Sequence, residues 1–247
     1  MLRGPIKVLD FRMYLDDLDS LRLTENGIHE PEETSFFQRT IQYGDSIVDI
    51  GAMIGYYSLL FAYLIGPNGK VFSFEPEPKN FTILKCNIEL NQLQNVNAFR
   101  YAILERSGPA SLFISAENKG DHRCFNPGGW PSIGVESMGL DSCKFLDDQQ
   151  ISFVKIDTQG AELKVLRGME NFLQRHKETK LMIEFAPWWL HGMGTNPKDI
   201  LTFLTEKDFA FFYANGTEIS ASKLLERFPI TSQNFTNLIC LRRNGNA

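Results

Sequence analysis

The sequence predicts one α/β domain built on a mostly parallel sheet with helices on both faces. From about residue 46 onward, short β-rich runs alternate with helical segments, the pattern of βαβ units. At Val48-Asp-Ile-Gly-Ala-Met-Ile-Gly-Tyr-Tyr57 a strand runs into a glycine loop and then a helix. No repeat, low-complexity tract or Pro/Gly/Ser linker divides the 247 residues, a length ordinary for one α/β domain with insertions.

Ser46 to Ile50 is the first strand, a short buried run. An apolar helix over Ile54 to Ile65 follows and stops at Gly66-Pro67-Asn68-Gly69. Lys70 to Glu75 is the second strand, and Pro78 to Asn91 a helix with proline near its first turn. Val96 to Tyr101 is the third strand and Ile151 to Ile156 the fourth, with a helix over Ala161 to Arg175 after it. Leu181 to Phe185 is the fifth, Pro197 to Lys207 is helical, and Phe209 to Tyr213 and Leu238 to Arg242 are the last two strands. Two segments break this rhythm. Residues 1–45 read as a small cap of strand and helix, packed on a main domain at 46–247. Residues 102–150 are too long for a simple crossover, with one short strand at Ser111 to Ser115 and a polar, Gly-rich loop from Asn118 to Gly134. Long loops inside compact domains are usually lids or disordered, and a lid is expected here.

Composition narrows the function classes. No apolar run approaches the ~18 residues of a membrane span. Met1 to Lys7 lacks the apolar core of a secretory signal, so the expected address is the cytoplasm. Cys86, Cys124, Cys143 and Cys240 are scattered without a CxxC pair and read as reduced, mostly buried thiols. A net charge of −5 without a basic stripe argues against a nucleic-acid partner. A neutral sugar or small natural product remains compatible, and oligomeric state is not legible.

The glycine turn after the first strand lets backbone approach a ligand at a helix N-terminus. Glu75, 24 positions after Gly51, stands where an acid accepts both ribose hydroxyls. A dinucleotide site carries glycine where this chain has Asp49, because a pyrophosphate is doubly negative. S-adenosylmethionine carries one net positive charge, and an acid beside the loop suits it by Coulomb attraction. Taken singly, Asp49 also reads as a cap for loop amides and Glu75 as a solvated strand end.

Glu30-Pro-Glu-Glu-Thr34, Val48 to Tyr57, Phe74-Glu-Pro-Glu-Pro78 and Ile156-Asp-Thr-Gln-Gly-Ala-Glu162, followed by Val165-Leu-Arg-Gly168, together resemble the FkbM-type methyltransferases. The blocks fall in that family's order and spacing over roughly residues 25 to 190. The resemblance implies the class I methyltransferase (Rossmann-like) fold: seven strands, the last antiparallel, with S-adenosylmethionine as donor. It also implies O-methylation of natural products and glycans, often at sugar hydroxyls. The expected donor site is Asp49, Gly51, Ala52, Gly55, Tyr56, Glu75 and Pro76. The family more often has Asn where Met53 stands and Val-Glu where Thr158-Gln159 stand, departures that bear on the acceptor side.

Ligands of an open parallel sheet bind outside the carboxyl ends of its strands. Strands one, two, four and five end in Asp49, Glu75, Asp157 and Glu184, a costly set for a purely structural core. Asp157 and Glu184 therefore fall to the acceptor side or the methionine end. Aligning the acceptor contributes roughly 7–11 kcal/mol, and a general base typically about 10²–10⁴-fold. Asp157 is the first candidate base, next to Lys155 in sequence but read as lying on the opposite strand face; it equally reads as a cap for the following helix. His122, in Asp121-His122-Arg123 on the long loop, is the second, since imidazole titrates near working pH. His191 is the third. Glu162 and His29 read as structural, and His176 as a helix C-terminal cation. Trp130, Trp188 and Trp189 lie in predicted loops at the rim, as a sugar platform or as hydrophobic plugs. Asp157 and Glu184 suit Mg²⁺, yet nothing in their spacing demands it, and no metal is assigned.

An N-methyltransferase of protein or nucleic acid is opposed by the acidic charge and by Asp157-Thr-Gln-Gly160, where a base-methylating enzyme carries a proline-rich turn. An NAD-dependent oxidoreductase is opposed by Asp49. A non-catalytic nucleotide-binding subunit stays open, because a donor loop can outlive an acceptor site.

Overall fold

The computed structural model describes residues 3–243. Met1 and Leu2, on which the amino-terminal reading partly rests, and residues 244–247 of the expected main domain lie outside the described residues. The chain opens on a hairpin of β1 (Arg3–Val8) and β2 (Phe11–Leu15), then a helical turn α1 (Leu23–Asn26) and the helix α2 (Pro31–Thr40). Pro31 sits at the first position of α2, where no N–H is needed, with Glu32 and Glu33 in the positive first turn. β3 (Ser46–Ile50), α3 (Tyr56–Ile65), β4 (Lys70–Phe74), α4 (Pro78–Leu90) and β5 (Val96–Phe99) form the first half of the main sheet with its helices. α3 is apolar nearly all round because both its sides are covered, and only Tyr63 and Leu64 escape burial. α4 is capped by Glu77, whose carboxylate accepts from Asn80 N at 2.6 Å.

The 102–150 segment builds a sheet of its own from β6 (Ala102–Ile103), β7 (Gly108–Phe113) and β8 (Ser132–Met138), ordered β6-β8-β7. This corrects the expectation of one strand and a loop reaching Gly134. The main sheet resumes with β9 (Ile151–Ile156), followed by α5 (Glu162–Arg167) and α6 (Glu170–Arg175), then β10 (Lys180–Phe185). The expected single helix over 161–175 is broken at Gly168. That residue passes so close to the insertion that a Cβ there would lie 2.0 Å from the Leu104 carbonyl. Asp141 stitches the break by accepting from Phe172 N at 2.6 Å and Asn171 N at 3.0 Å. α7 (Pro187–Gly192), α8 (Pro197–Glu206), β11 (Phe209–Phe212), β12 (Glu218–Ile219), α9 (Ala221–Arg227) and β13 (Thr236–Arg242) complete the chain.

The main sheet runs β12-β11-β13-β10-β9-β3-β4-β5. The five strands from β10 to β5 are parallel, and β13 lies antiparallel between β10 and β11. Among the described residues it has eight strands against the seven expected, because Glu218–Ile219 adds a two-residue edge antiparallel to β11. Strand alternation sorts the core into two clusters. Val48, Ile50, Val154 and Ile156 pack with α5, α6 and α8, while Ile47 and Phe153 pack with α2 and α3. Asp49 and Lys155 are register partners and share the parity of Ile47 and Phe153. The amino-terminal hairpin is tied to α4 by Asn87, which accepts from Tyr14 N at 2.6 Å and donates to Tyr14 O at 3.0 Å. Among the described residues, no helix is long and apolar enough to cross a membrane.

Candidate active site

Parallel pairing brings the carboxyl ends of β3, β4, β9 and β10 level, and Asp49, Glu75, Asp157 and Glu184 all line one cavity of about 430 Å³. Asp49 is fully buried; Glu75 and Glu184 keep 5% and 4% exposure. Lys155 lies among them at 3% exposure, its Nζ 3.0 Å from Asp157 Oδ2 and 4.8 Å from the Tyr57 ring centroid. Lys155 and Asp157 therefore share a face, correcting the expectation that they oppose one another: residues two apart in a strand point the same way. Burial alone would depress the Lys155 ammonium, but Asp157 and then Asp49 hold it well above its ordinary range.

On the β3–β4 side, Ser73 Oγ donates to Ser58 Oγ at 2.8 Å, and Ser58 Oγ donates to Asp49 Oδ2 at 2.6 Å. The other Asp49 oxygen, Oδ1, is buried without a partner, and burial raises the pKa of this carboxyl. Glu75 accepts from Met53 N through Oε2 and from Glu77 N through Oε1, both at 2.8 Å, leaving each oxygen a further lone pair. Burial pushes the Glu75 carboxyl up to about 8. Ala52, Tyr56 and Pro76 line the cavity as well.

The loop glycines meet packing demands of the protein itself. The amides of Gly51 and Ala52 both donate to Phe74 O at 3.0 Å, closing β3 onto β4 rather than turning toward a ligand. Gly51 lines the cavity at φ +83°, and a Cβ there would meet the Asp157 carbonyl at 1.8 Å. Gly55, assigned to the donor from sequence, is not among the lining residues. A Cβ on it would meet Leu84 Cδ1 at 2.6 Å, so it lets α4 pack against the loop. Its φ of +96°, with Met53 at +50°, delays α3 to Tyr56 rather than Ile54.

On the β9–β10 side, the Gln159 amide bridges two acids. Its Nε2 lies 2.9 Å from Asp157 Oδ1 and 3.1 Å from both Glu184 oxygens. Burial would raise the Asp157 pKa, but Lys155 and then Gln159 hold it below the usual carboxylate value. Glu184 is pushed well above its usual value by burial and by Asp157. Glu162 accepts from Thr158 N, Thr158 Oγ1 and Gly160 N, which fixes the β9–α5 turn. No group of three or more His, Cys, Asp or Glu among the described residues is arranged to hold a metal.

The histidines sort differently from the sequence reading. His122 lines the cavity, but its Nδ1 accepts from Ser115 N at 3.1 Å, which places its proton on Nε2 as a donor. Burial lowers its pKa to about 4, and with the Nδ1 lone pair taken by Ser115 N it has no free lone pair to accept a proton. His191 is exposed on α7, away from the lining residues. His176 has its pKa lowered by burial, and its Nε2 has no partner, unlike the C-terminal cation expected. His29, read as structural, lines the cavity edge-on to Tyr56 and Tyr57, with Nε2 3.7 Å from Glu30 Oε2. Burial lowers its pKa, keeping the imidazole neutral at working pH. Glu30 Oε2 also accepts from the Tyr57 hydroxyl at 2.6 Å, and Thr34 Oγ1 lies 3.0 Å from the Tyr56 hydroxyl. The Glu30–Thr34 block thus fixes the cavity's aromatic wall.

The long loop contributes to the cavity wall. Lys119 N donates to Ser20 Oγ at 2.8 Å, Asn80 Nδ2 donates to Lys119 O at 2.9 Å, and Asp121 and His122 join the lining. The Arg123 guanidinium sits 4.5 Å from the Trp189 ring and 5.3 Å from Trp130. Trp188 and Trp189 belong to α7 rather than a loop, and Trp189 alone of the three tryptophans lines the cavity, stacked on Phe235 at 5.6 Å. Sequence reasoning read His29 as structural and gave no site role to Glu30, Lys155, Gln159 or Phe235. Glu30 and Gln159 carried a signal as members of the motif blocks, and the two-residue strand period places Lys155 on the face of Asp157.

The methyltransferase FkbM domain matches residues 49–211. The hexuronic acid methyltransferase AglP of Haloferax volcanii is 30% identical over 167 residues, which cover 66% of this chain and 62% of that protein. The match therefore spans less than two thirds of that relative. Methyltransferase sdnD of Sordaria araneosa is 27% identical over 198 residues, covering 66% of this chain and 73% of its own. Among solved structures, SMU.1697c of Streptococcus mutans in complex with SAH has a TM-score of 0.51 at 11% identity, covering 87% of this chain and 98% of that one. That likeness is one of fold, the class I methyltransferase fold expected from sequence.

Proposed function

The chain belongs to the FkbM methyltransferase family, and from that membership we propose that it is an S-adenosylmethionine-dependent O-methyltransferase acting on a sugar hydroxyl. The observation that carries the donor is Asp49 Oδ1, a buried carboxylate oxygen without a partner in the cavity wall. A buried lone acceptor is costly unless a ligand completes it, and a cationic ligand completes it best. Asp49, Gly51, Ala52, Tyr56, Glu75 and Pro76 hold the donor, with the spare lone pairs of Glu75 accepting ribose hydroxyls. Bound there, S-adenosylmethionine supplies a methyl group already activated on a sulfonium.

The protein's own part is positioning and one proton transfer. His29 is the general base: it is neutral, it lines the cavity, and it is held edge-on between the Tyr56 and Tyr57 rings. Asp157 is the weaker base of the two, because Lys155 and Gln159 each hydrogen-bond one of its oxygens and lower its basicity. It instead holds negative charge beside the donor. Glu184, pushed toward its protonated form, offers a hydrogen bond to an acceptor oxygen, and Gln159 Oε1, buried without a partner while its Nε2 is committed to Asp157 and Glu184, accepts from an acceptor hydroxyl. The Arg123 clamp keeps the loop over the cavity and excludes water.

A sugar is supported by the hexuronic acid methyltransferase among the relatives and by the stacked Trp189–Phe235 face at the rim. The test is incubation with ¹³C-methyl S-adenosylmethionine and a panel of uronic acids, methyl glycosides, catechols and amines, with products read by NMR. The label is expected on a sugar oxygen. A label confined to nitrogen, or to phenols, would overturn the reading.

A further inference from the structure

A second depression, of about 680 Å³, opens beside the cavity. It lies between the amino-terminal turn of α2, the turn after β11, the end of α9 and the 229–235 segment leading into β13. Gln233 and Phe235 line both spaces, so one wall serves both. The second link is Asn237, whose Nδ2 donates to Glu30 Oε1 on the cavity side at 3.1 Å and to Glu33 Oε1 on the groove side at 3.2 Å. The groove thus begins directly behind the His29–Glu30 pair.

Its lining is unlike that of the cavity. Asn215, Asn234 and Gln233 are exposed and offer both amide donors and amide acceptors, the set that satisfies ring hydroxyls in either sense. Phe235, 45% exposed and stacked on Trp189, presents a flat apolar face where the two spaces meet. Arg227 lies over the Tyr213 ring at 5.5 Å and reaches its hydroxyl at 3.4 Å. With Glu32 and Glu33 also in the lining, carboxylates outnumber the guanidinium. The groove therefore disfavours an anionic chain.

We propose that this groove is an acceptor subsite for a neutral glycan chain, so that the enzyme methylates a sugar carried on an oligosaccharide rather than a free monosaccharide. The inference rests on the sugar reading above and specifies its substrate. The sugar to be methylated enters the cavity past Phe235, and the units attached to it lie along the Asn215, Asn234 and Arg227 side chains.

Saturation-transfer NMR and calorimetry, with the protein saturated in S-adenosylhomocysteine, test this using gluco-, galacto- and manno-oligosaccharides of one to four units. Affinity is expected to rise at least tenfold from monosaccharide to trisaccharide in one series. Arg227→Ala and Asn234→Ala, both at exposed positions, are expected to remove that gain while leaving monosaccharide and S-adenosylhomocysteine affinities within twofold. Monosaccharide binding without any gain in length overturns the groove and leaves the sugar reading intact. A gain that survives both substitutions overturns it too, because the chain then runs elsewhere. If no sugar of any length binds, both readings fall.

Discussion

Replacing Asp49 by Asn separates a ligand-binding acid from a structural one, because the two roles move stability and affinity differently. The substitution is isosteric and preserves an oxygen to accept the Ser58 hydroxyl at 2.6 Å. It removes a charge that burial already disfavours, while Lys155 keeps its Asp157 partner at 3.0 Å. These terms oppose one another, and unfolding stability at neutral pH is expected to move by less than about 1 kcal/mol. Donor affinity has no such compensation. Losing a charge-assisted contact at Oδ1 costs about 1.5–3 kcal/mol, which is roughly 10- to 150-fold in Kd. Calorimetric titration with S-adenosylmethionine and S-adenosylhomocysteine, beside a urea melt, reads both quantities. Ser58→Ala is the control: it takes the donor from Oδ2, costs about 0.5–1.5 kcal/mol of stability and leaves affinity nearly unchanged. Wild-type affinity in Asp49→Asn, or an equal loss in Ser58→Ala, would refute the assignment of Oδ1 to the donor.

Further substitutions probe the other parts of the site. Gly51→Ala places a methyl 1.8 Å from the Asp157 carbonyl at a φ of +83°, so stability should fall by about 2 kcal/mol or more; an unchanged denaturation midpoint would contradict that backbone crossing. His29→Gln should lower kcat by about 10²–10⁴-fold with donor Kd unchanged, and a loss under threefold would remove His29 as the base. Because the His29 pKa lies below 6.5 in the folded protein, its neutral form is favoured there. Wild-type activity should thus persist below pH 6.5 before declining, and stability should fall as pH drops from 6.5 toward the lowered value, a sensitivity that His29→Gln abolishes. Arg123→Met removes the guanidinium from between Trp189 and Trp130, contacts worth about 0.5–2 kcal/mol each; proteolysis within residues 118–130 should accelerate, and an unchanged cleavage pattern would show that the clamp does not hold the loop.

The sheet and the acids at its strand ends were legible because both follow from local rules. Buried strands are short apolar runs, and parallel pairing brings their carboxyl ends to one edge, so Asp49, Glu75, Asp157 and Glu184 converge wherever that pattern is read correctly. Lys155 was also within reach of the two-residue strand period, which was misapplied. What escaped depends on contacts distant in sequence. His29 reaches the cavity only because α2 packs on α3, and the Glu30–Thr34 block beside it does not itself point to residue 29. β8 was hidden because its burial alternates weakly, with Gly134 and polar serines among its seven residues. The break at Gly168 is imposed by the Leu104 carbonyl, some sixty residues earlier in the chain. Gly51 and Gly55 also accommodate neighbouring segments of protein, the Asp157 carbonyl and Leu84, a packing demand that the motif by itself does not reveal.

A crystal structure grown with S-adenosylhomocysteine, alongside one soaked with a nicotinamide dinucleotide, tests the donor pocket most directly. The nucleoside should lie across Gly51 with its ribose hydroxyls on Glu75 and a cationic nitrogen within hydrogen-bonding distance of Asp49 Oδ1, and the dinucleotide should leave no density there. A diphosphate seated on that loop, or a nucleoside bound away from both acids, would contradict it.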